Sequence, residues 1–146
     1  MSVLLVQTSP VQAAPTPVTP TLVTIAGEID ISTVPALRRH LLALPVCSTV
    51  VELSGVSLLG AVGVNELVDL RDRVTRADMT LVLAAARPVV RRVLAITGIA
   101  DTIALTDTLD DAIHLITAGT ARRPPAARPA SVTRSCGPPH VRCPRP

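Results

Sequence analysis

The sequence predicts one small α/β domain that is built around a largely parallel sheet. Between about residues 21 and 117, the hydrophobic periodicity alternates between strand and helix, in the order β-α-β-α-β-α-β-α. This alternation is typical of parallel strands that are joined by crossover helices. A chain of 146 residues has room for one compact core. Because the chain contains no Phe, Trp or Tyr, aliphatic side chains must fill that core.

The two ends of the chain are predicted to lie outside this domain. Residues 8–20 (TSPVQAAPTPVTP) contain four prolines and no charge, which indicates a loop or linker. Residues 2–7 are compatible with an edge strand or a frayed start, so residues 1–20 are predicted to be an edge strand or a flexible lead. Residues 118–146 contain seven prolines and six arginines, which predicts a disordered tail.

The domain begins with a strand at residues 22–31 and a helix at residues 35–44. The strand is rich in β-branched side chains. Ser32 or Thr33 can cap the helix, and Pro45 ends it. The predicted buried stripe of this helix consists of Val34, Leu37, Leu41 and Leu44.

A second strand and a second helix follow. VVEL (residues 50–53) is a short apolar strand, and SGVSLLGAVG (residues 54–63) is predicted to be a loop that contains glycines. Apolar residues at helical spacing then predict an amphipathic helix. Its predicted buried stripe consists of Val64, Leu67, Val68 and Val74. Its charged residues are predicted to form a solvated face, and they are Glu66, Asp69, Arg71, Asp72, Arg73 and Arg76.

The second half of the domain repeats the strand and helix pattern twice. MTLVLAA (residues 79–85) is predicted to lie in the middle of the sheet, buried on both faces. A third helix begins near Pro88 and ends before Gly98, and its predicted inward residues are Val89, Val90, Val93, Leu94 and Ile96. Residues 103–105 form a last short strand. Thr108 and Asp111 resemble a capping box that opens a fourth helix, whose predicted buried stripe is Leu109, Ala112, Ile113 and Ile116.

Charge separates the domain from the tail. Residues 21–117 contain eight of the 14 arginines and all 11 acidic residues, so the domain is mildly acidic. The other six arginines lie in the tail, which contains no acidic residue. Such a tail attracts nucleic acid or anionic lipid only non-specifically, and the lack of aromatic side chains excludes base stacking. We therefore predict no specific nucleic-acid partner and interpret the tail as solubilising or vestigial.

The cysteines and the apolar runs indicate the compartment. Cys47, Cys136 and Cys143 are an odd number at irregular spacing, which argues against a disulfide framework. The first residues lack the pattern of a signal peptide. No apolar run approaches the roughly 18 residues that cross a bilayer. These patterns predict a cytoplasmic protein without a membrane span.

No group of residues has the spacing of a catalytic or metal site. His40 and His114 lie on predicted helices, where a partly exposed position is expected. Cys136, His140 and Cys143 offer three soft ligands, but structural zinc normally takes four, so no metal is predicted. Cys47 has no neighbouring base and is interpreted as a small apolar filler.

Three glycines precede the second helix. Gly55, Gly60 and Gly63 could cradle a phosphate at a helix N-terminus. The segment lacks the Lys and Ser/Thr of a P-loop and the spacing of a dinucleotide fingerprint, and a tight strand-to-helix turn explains the glycines as well. We predict no cofactor and no enzyme, because no nucleophile or acid–base pair stands at a workable spacing.

Three stretches of the sequence carry a family resemblance. They are GEIDISTVPALRRHL, VVELSGVSLLGAVGVNELVDL and VRRVLAITGIADTIALTDTLDDAI. In this order they resemble the STAS domain of anti-sigma factor antagonists (anti-anti-sigma factors), over about residues 21–117. The first matches the family's G-E-[IL]-D turn. The second matches its D-L-S-x-[VL]-x-[FL]-[ILM]-D-S-S-G-[LV] segment, with Glu52 in place of the first Asp, and the third matches a helix ending in T-G, a strand and the last helix.

The resemblance implies a single mixed, mostly parallel sheet packed against about four helices. It also implies a partner, an anti-sigma factor that is typically a serine kinase of the GHKL type. In this family the unphosphorylated antagonist captures the anti-sigma factor and frees sigma. Phosphorylation of the first Ser or Thr after the motif Asp breaks the complex, because a phosphate in a close-packed interface costs desolvation and repels acidic partners.

The sequence departs from the family at this phosphoacceptor. The D-S-S-G positions fall on residues 60–63, so Ala61 stands at the phosphoacceptor position without a hydroxyl. The resemblance therefore implies an antagonist that is not switched at the usual site. The alternative is a degenerate copy that serves as a ligand sensor or as a scaffold in a stress-signalling assembly. The predicted partner-binding residues are Asp30, Ser32, Ser57, Gly60, Ala61, Val62, Gly63 and Asn65.

Overall fold

The computed structural model describes residues 3–11 and 19–118. Within these residues it contains five strands and four α-helices. In chain order they are β1 (Leu4–Pro10), β2 (Thr21–Ile29), α1 (Val34–Ala43), β3 (Thr49–Leu59), α2 (Ala61–Arg76), β4 (Leu81–Ala84), α3 (Pro88–Ile96), β5 (Ala104–Thr106) and α4 (Leu109–Thr117). A 3₁₀ turn, Ile99–Asp101, precedes β5. The predicted tail beyond residue 118 and most of the predicted linker lie outside the described residues.

The five strands form one mixed sheet in the order β1-β2-β3-β4-β5. β1 is antiparallel to β2, and the three other neighbouring pairs are parallel. The predicted fold class, a mostly parallel sheet with about four helices, is confirmed. The boundaries of α1 and β5 agree with the predicted boundaries to within one residue.

β1 is the edge strand that the sequence offered as one of two possibilities. β1 continues to Pro10, so the prediction of a loop is wrong for residues 8–10, which belong to the strand. Pro10 lies opposite Thr21 at the end of the antiparallel pair. An edge strand tolerates proline there, because the missing N–H can be one that the ladder does not use.

Helices cover both faces of the sheet. α1, α2 and α3 pack on one face and enclose the main core. α4 packs on the other face, where a smaller cluster forms around Val50, Val82 and Ala112. β4 covers only residues 81–84 of the strand predicted at residues 79–85, but all four are buried, as predicted, and β4 lies between β3 and β5. In α4 only Ala112 is fully buried, and the rest of the predicted stripe is half-buried.

β3 is much longer than the predicted strand. The loop predicted at residues 54–63 is wrong up to Leu59, because β3 stays paired with β2 over that stretch. Two register shifts, each of which inserts one extra residue into β3, interrupt the pairing. The buried residues are consequently three apart, at Leu53, Val56 and Leu59. A strand with two bulges therefore lacks the two-residue alternation that identifies strands in a sequence.

α3 buries a narrower stripe than the sequence predicts. Val90 and Leu94 are fully buried, and Val93 is partly buried. Val89 and Ile96 are 51% and 75% exposed, so their predicted inward orientation is wrong. A helix of nine residues that packs through one side has room for only two fully buried positions. Gly98 follows with a positive φ of 74°.

The charged side of α2 is not uniformly solvated. Glu66 is only 4% exposed and accepts three hydrogen bonds from Arg38 of α1, at 2.6 to 3.1 Å. Arg73 donates to the carbonyl oxygens of Leu41 and Leu44 at the end of α1. The hydrogen bond to Glu66, and then its charge, raise the pKa of Arg38. For these two residues the prediction of a solvated face is wrong, because they join α2 to α1.

The capping and filler residues agree with their predicted roles in most respects. Thr33, and not Ser32, stands at the N-cap position of α1, but its hydroxyl makes no capping hydrogen bond to the helix, so the predicted cap is wrong in this respect. The Thr108 hydroxyl accepts the backbone N–H of Asp111 at 3.1 Å, as in the first half of a capping box. Cys47 is 7% exposed and its Sγ lies 3.0 Å from the Thr21 hydroxyl, which confirms it as a buried filler.

Candidate functional site

The predicted partner-binding residues come together where β2 and β3 end. The two strands are parallel neighbours, and Ile29 lies opposite Leu59 at their carboxyl ends. The turn into α1 and the turn into α2 therefore lie side by side. The backbone N–H of Gly60 donates to the Ile29 carbonyl at 2.8 Å, which joins the second turn to the end of β2. We call the surface of these turns and of the end of β3 the two-turn surface, formed by Asp30, Ile31, Ser32, Ser57, Leu58, Gly60, Ala61, Val62 and Asn65.

The turn into α1 is organised by the Asp30 carboxylate. Its Oδ1 accepts the backbone N–H groups of Ser32 and Thr33 at 2.9 and 3.1 Å, and the Ser32 hydroxyl at 2.6 Å. The Thr33 hydroxyl donates to the Glu28 carbonyl at 2.8 Å. Short polar side chains favour such local bonds over regular secondary structure. The turn leaves Ser32 exposed and Ile31 80% exposed.

The turn into α2 depends on two glycines that leave room for close packing. Gly60 is the N-cap residue of α2, and a Cβ there would lie 3.2 Å from the Ile29 carbonyl oxygen. Gly63 is buried, and a Cβ there would overlap the side chains of Ile29 and Leu59. Of the two explanations for the glycines, these contacts favour the tight strand-to-helix turn. Gly63 thus lies beneath the two-turn surface and supports it.

The rest of the two-turn surface combines small polar groups with apolar ones. Ser57 is exposed and donates to the Gly27 carbonyl at 3.3 Å. Leu58 is 46% exposed. Ala61, the first residue of α2, and Asn65, one turn later, are exposed, and Val62 is half-buried. The surface can therefore bury apolar area against a partner and offers only a few polar groups at its rim.

Sequence reasoning missed Ile31 and Leu58 as members of this surface. Both are large aliphatic residues in or beside a strand, and such residues are usually assigned to the core. The signal that could have identified Ile31 is its position directly after the Asp of the G-E-[IL]-D turn, where the chain leaves the sheet. For Leu58 the signal lies in the β3 bulge, which the sequence does not show.

The described part of the chain offers little for catalysis or metal binding. Over residues 3–11 and 19–118, no group of three or more His, Cys, Asp and Glu could hold a metal ion. The segment with Cys136, His140 and Cys143 lies outside this range. His40 and His114 are exposed on helices, in agreement with the prediction. None of the described helices is both long enough and apolar enough to span a membrane.

A family model decides the classification of the chain. The model of the STAS domain matches residues 11–112, which is more than half of the sequence. The chain belongs to the STAS domain family. The resemblance inferred from the three sequence stretches is thereby confirmed, and so is the STAS architecture of the sheet and helices.

Solved STAS structures share this fold. An anti-sigma factor antagonist from Mycobacterium paratuberculosis is 28% identical in sequence, and its structure aligns with a TM-score of 0.69. The alignment covers 79% of this chain and 95% of that chain. The anti-sigma factor antagonist SpoIIAA, in its unphosphorylated form, is 17% identical, with a TM-score of 0.64 over 78% and 97% of the two chains. A STAS domain protein from Planctomyces limnophilus is 18% identical, with a TM-score of 0.58 over 65% and 89%. No curated protein matches the sequence.

Proposed function

We propose that this STAS domain is an anti-sigma factor antagonist that binds its anti-sigma factor through the two-turn surface. The observation that carries the proposal is the convergence of the two turns at the ends of β2 and β3, in a chain of the STAS family. The similarity to the antagonist from Mycobacterium paratuberculosis supports the same role. Capture of the anti-sigma factor would free the sigma factor that it holds. The activity is binding and not catalysis.

The chemistry of the two-turn surface supports a protein partner. Ile31 and Leu58 present aliphatic side chains beside the exposed Ala61. An apolar centre surrounded by a polar rim is the usual composition of a protein interface. Asp30 is fixed in its turn by three hydrogen bonds, so little conformational freedom is lost there on binding. From the resemblance to the family, and not from these contacts, we infer that the partner is an anti-sigma factor of the serine kinase type.

We also propose that this antagonist is not switched by phosphorylation at the family position. Ala61 is exposed at the start of α2 and has no hydroxyl to accept a phosphoryl group. In a protein with Ser at this position, a phosphate would enter the interface close to aliphatic groups. The cost of desolvating its charge would then break the complex. Because Ala61 cannot carry this phosphate, the complex is expected to persist in the presence of ATP.

A titration with candidate anti-sigma kinases tests both proposals. The wild-type chain should bind one of them with the same Kd in the presence and absence of ATP. Ala61→Ser should bind without ATP, become phosphorylated with ATP, and then lose affinity by about tenfold or more. Ala95→Ser, at an exposed position of α3, is the matched control and should behave as wild type. If the wild-type chain binds no candidate, the proposal of an anti-sigma factor antagonist is wrong. If ATP releases the wild-type chain from its partner, the proposal that phosphorylation does not switch it is wrong.

A groove between α1 and α2 favours the alternative of a ligand sensor. The cavity measures about 320 Å³ and lies away from the two turns, between charged and aliphatic side chains. It is lined by Arg38, Leu41, Leu42, Glu66, Asp69, Leu70 and Arg73. A ligand in this groove would raise the Tm by mass action. A thermal-shift screen with small amphipathic acids would therefore support this alternative if the Tm rises and Leu70→Ala abolishes the rise.

A further inference from the structure

The arginines of the described residues are confined to one face of the sheet, whereas acidic residues occur on both faces. All eight arginines among residues 19–118 belong to α1, α2 or α3 or directly precede α3. These helices pack together on one face. We call the opposite side of the sheet the open face. It consists of the outward side chains of β1, β2 and β3 together with α4, which packs on one part of it. It carries four acidic residues and no arginine, and these acidic residues are Glu28, Glu52, Asp110 and Asp111.

Helix α4 covers only part of the open face. It packs on β3, β4 and β5. On the outward side of β1, Leu5 is 55% exposed and Val3 is 71% exposed. Leu5 lies opposite Ala26 of β2, which is half-exposed. Among the described residues, α1 contacts β1 from the other face, and on the open face Leu22 of β2 packs into the cluster beneath α4. The aliphatic strip that remains accessible beside the acidic groups therefore lies around Leu5 and Ala26.

Beside the uncovered strands, the carboxylate of Glu52 on β3 can accept hydrogen bonds and pair with a positive charge. The Glu52 carboxylate accepts the hydroxyls of Thr24 and Ser54 at 3.1 and 2.8 Å. These bonds hold the carboxylate against the sheet and leave it half-exposed. A carboxylate has about four lone-pair sites, so it can still receive a guanidinium. Glu28 adds a second exposed acidic residue near the start of β1.

The chain supplies a complementary segment next to this face. α4 ends at Thr117 on the open face, and residues 119–146 follow directly. These residues include six arginines and no acidic residue. A segment of that length can extend over roughly 90 Å, whereas β1 and β3 lie only about 10 Å apart. The segment can therefore reach every acidic group of the open face.

We propose that residues 119–146 dock on the uncovered half of the open face. Their arginines pair with Glu28 and Glu52, and their Pro and Ala residues cover the aliphatic strip around Leu5. Covalent attachment gives the segment an effective concentration in the millimolar range, so several weak ion pairs suffice to hold it. Salt weakens the docking because the pairs are solvent-accessible. The proposal revises the expectation of a disordered tail and is independent of the two-turn surface, which lies at the ends of β2 and β3.

The cysteines of the segment allow a direct test in the full-length chain. A spin label on Cys136 is combined with Cys143→Ser and Cys47→Ala, and the broadening of backbone amide signals is measured by NMR. The amides of Leu5 and Ala26 should broaden strongly in low salt and recover in 0.5 M NaCl. Those of Arg39 on α1 should change little. Equal broadening of both faces, or none, would overturn the proposal.

Two controls separate the docked segment from other occupants. In the first control, a chain that carries the spin label but no ¹⁵N is mixed with a ¹⁵N-labelled chain that carries no spin label. Broadening of the ¹⁵N-labelled chain would show that the segment of a second copy occupies the face, and would contradict docking within one chain. The double variant Glu28→Gln, Glu52→Gln should reduce the broadening by at least half. Asp69→Asn, at an exposed position of α2, should leave the broadening unchanged. Full broadening in a folded double variant would show that charge pairing does not hold the segment.

Discussion

At the scale of single residues, two arginines tie together the helices that begin at the two turns. Arg38 donates two N–H groups to the buried Glu66 carboxylate. Arg73 donates to the carbonyl oxygens at the end of α1, where a cation is also favoured by the helix dipole. Both ties act between α1 and α2, so they help to hold the two halves of the two-turn surface in place.

Removal of Arg38 should destabilise the domain. Arg38→Ala leaves the Glu66 carboxylate buried without this partner, and an uncompensated buried charge is costly. We expect a clear fall of the Tm in thermal unfolding. Arg39→Ala, at the exposed neighbouring position, is the control and should leave the Tm nearly unchanged. Equal Tm values for the two variants would contradict a stabilising role of the ion pair.

Substitutions in the core should follow the observed burial. Leu67 is fully buried, so Leu67→Ala should lower the free energy of unfolding by about 2–4 kcal/mol. Val93 is only partly buried, so Val93→Ala should cost about 1 kcal/mol. Ile96→Ala, at a position that is 75% exposed, should cost less than about 0.5 kcal/mol. Urea titration measures all three, and a different order would contradict the packing of α2 and α3.

The burial of Glu66 could not be predicted from the sequence. Its partner Arg38 lies 28 residues away, on a different helix. A charge within a helical pattern is ordinarily assigned to the solvent side, because burial is unfavourable without a partner. The aliphatic stripe of α2, in contrast, follows from helical spacing alone and is correctly predicted at Val64, Leu67 and Val74.

At the scale of elements, the pairing of β2 with β1 and β3 requires glycine at two positions. Gly27 has a positive φ of 106°, and a Cβ there would overlap the Val3 carbonyl oxygen. A Cβ at Gly55, in the first bulge of β3, would lie 2.6 Å from the Ala26 Cβ. The end of β3 is therefore packed more closely than an ordinary strand, and this packing positions Ser57 and Leu58.

Gly27→Ala should loosen the edge strand β1. The substitution adds backbone strain at positive φ and a clash with the Val3 carbonyl, so we expect a loss of about 2–4 kcal/mol. Hydrogen exchange of the β1 amides should accelerate. Gly98→Ala is the matched control, because Gly98 also has positive φ but a Cβ there meets no atom within 4 Å. If both variants lose the same stability, the contact between Gly27 and β1 is not important.

The length of β3 shows where prediction from periodicity fails. VVEL, in which three of four residues are apolar, is correctly identified as part of a strand. Beyond it, the bulges place Ser54 and Gly55, and then Ser57 and Leu58, outside in pairs. Serine and glycine in pairs are the usual signature of a loop. Only the partner strand β2, which is distant in sequence, keeps this segment extended.

At the scale of the whole molecule, the order of elements and the proximity of the two turns both follow from the sequence. The alternation of strands and helices predicts the parallel sheet, and parallel neighbours bring the two turns together at one end. The sequence could not indicate which aliphatic side chains remain exposed at that end. Ile31 and Leu58 resemble core residues, and their exposure depends on the tertiary course of the turn and of the bulge.

The most direct measurement is the Kd of the anti-sigma factor for a matched pair of surface variants, determined by calorimetric titration. Leu58→Asp places a charge on the two-turn surface, and Val89→Asp places one on α3, at residues that are 46% and 51% exposed. If the two-turn surface is the interface, Leu58→Asp should weaken binding by about tenfold or more, and Val89→Asp should leave the Kd unchanged. Wild-type affinity of a folded Leu58→Asp variant would show that the partner binds elsewhere.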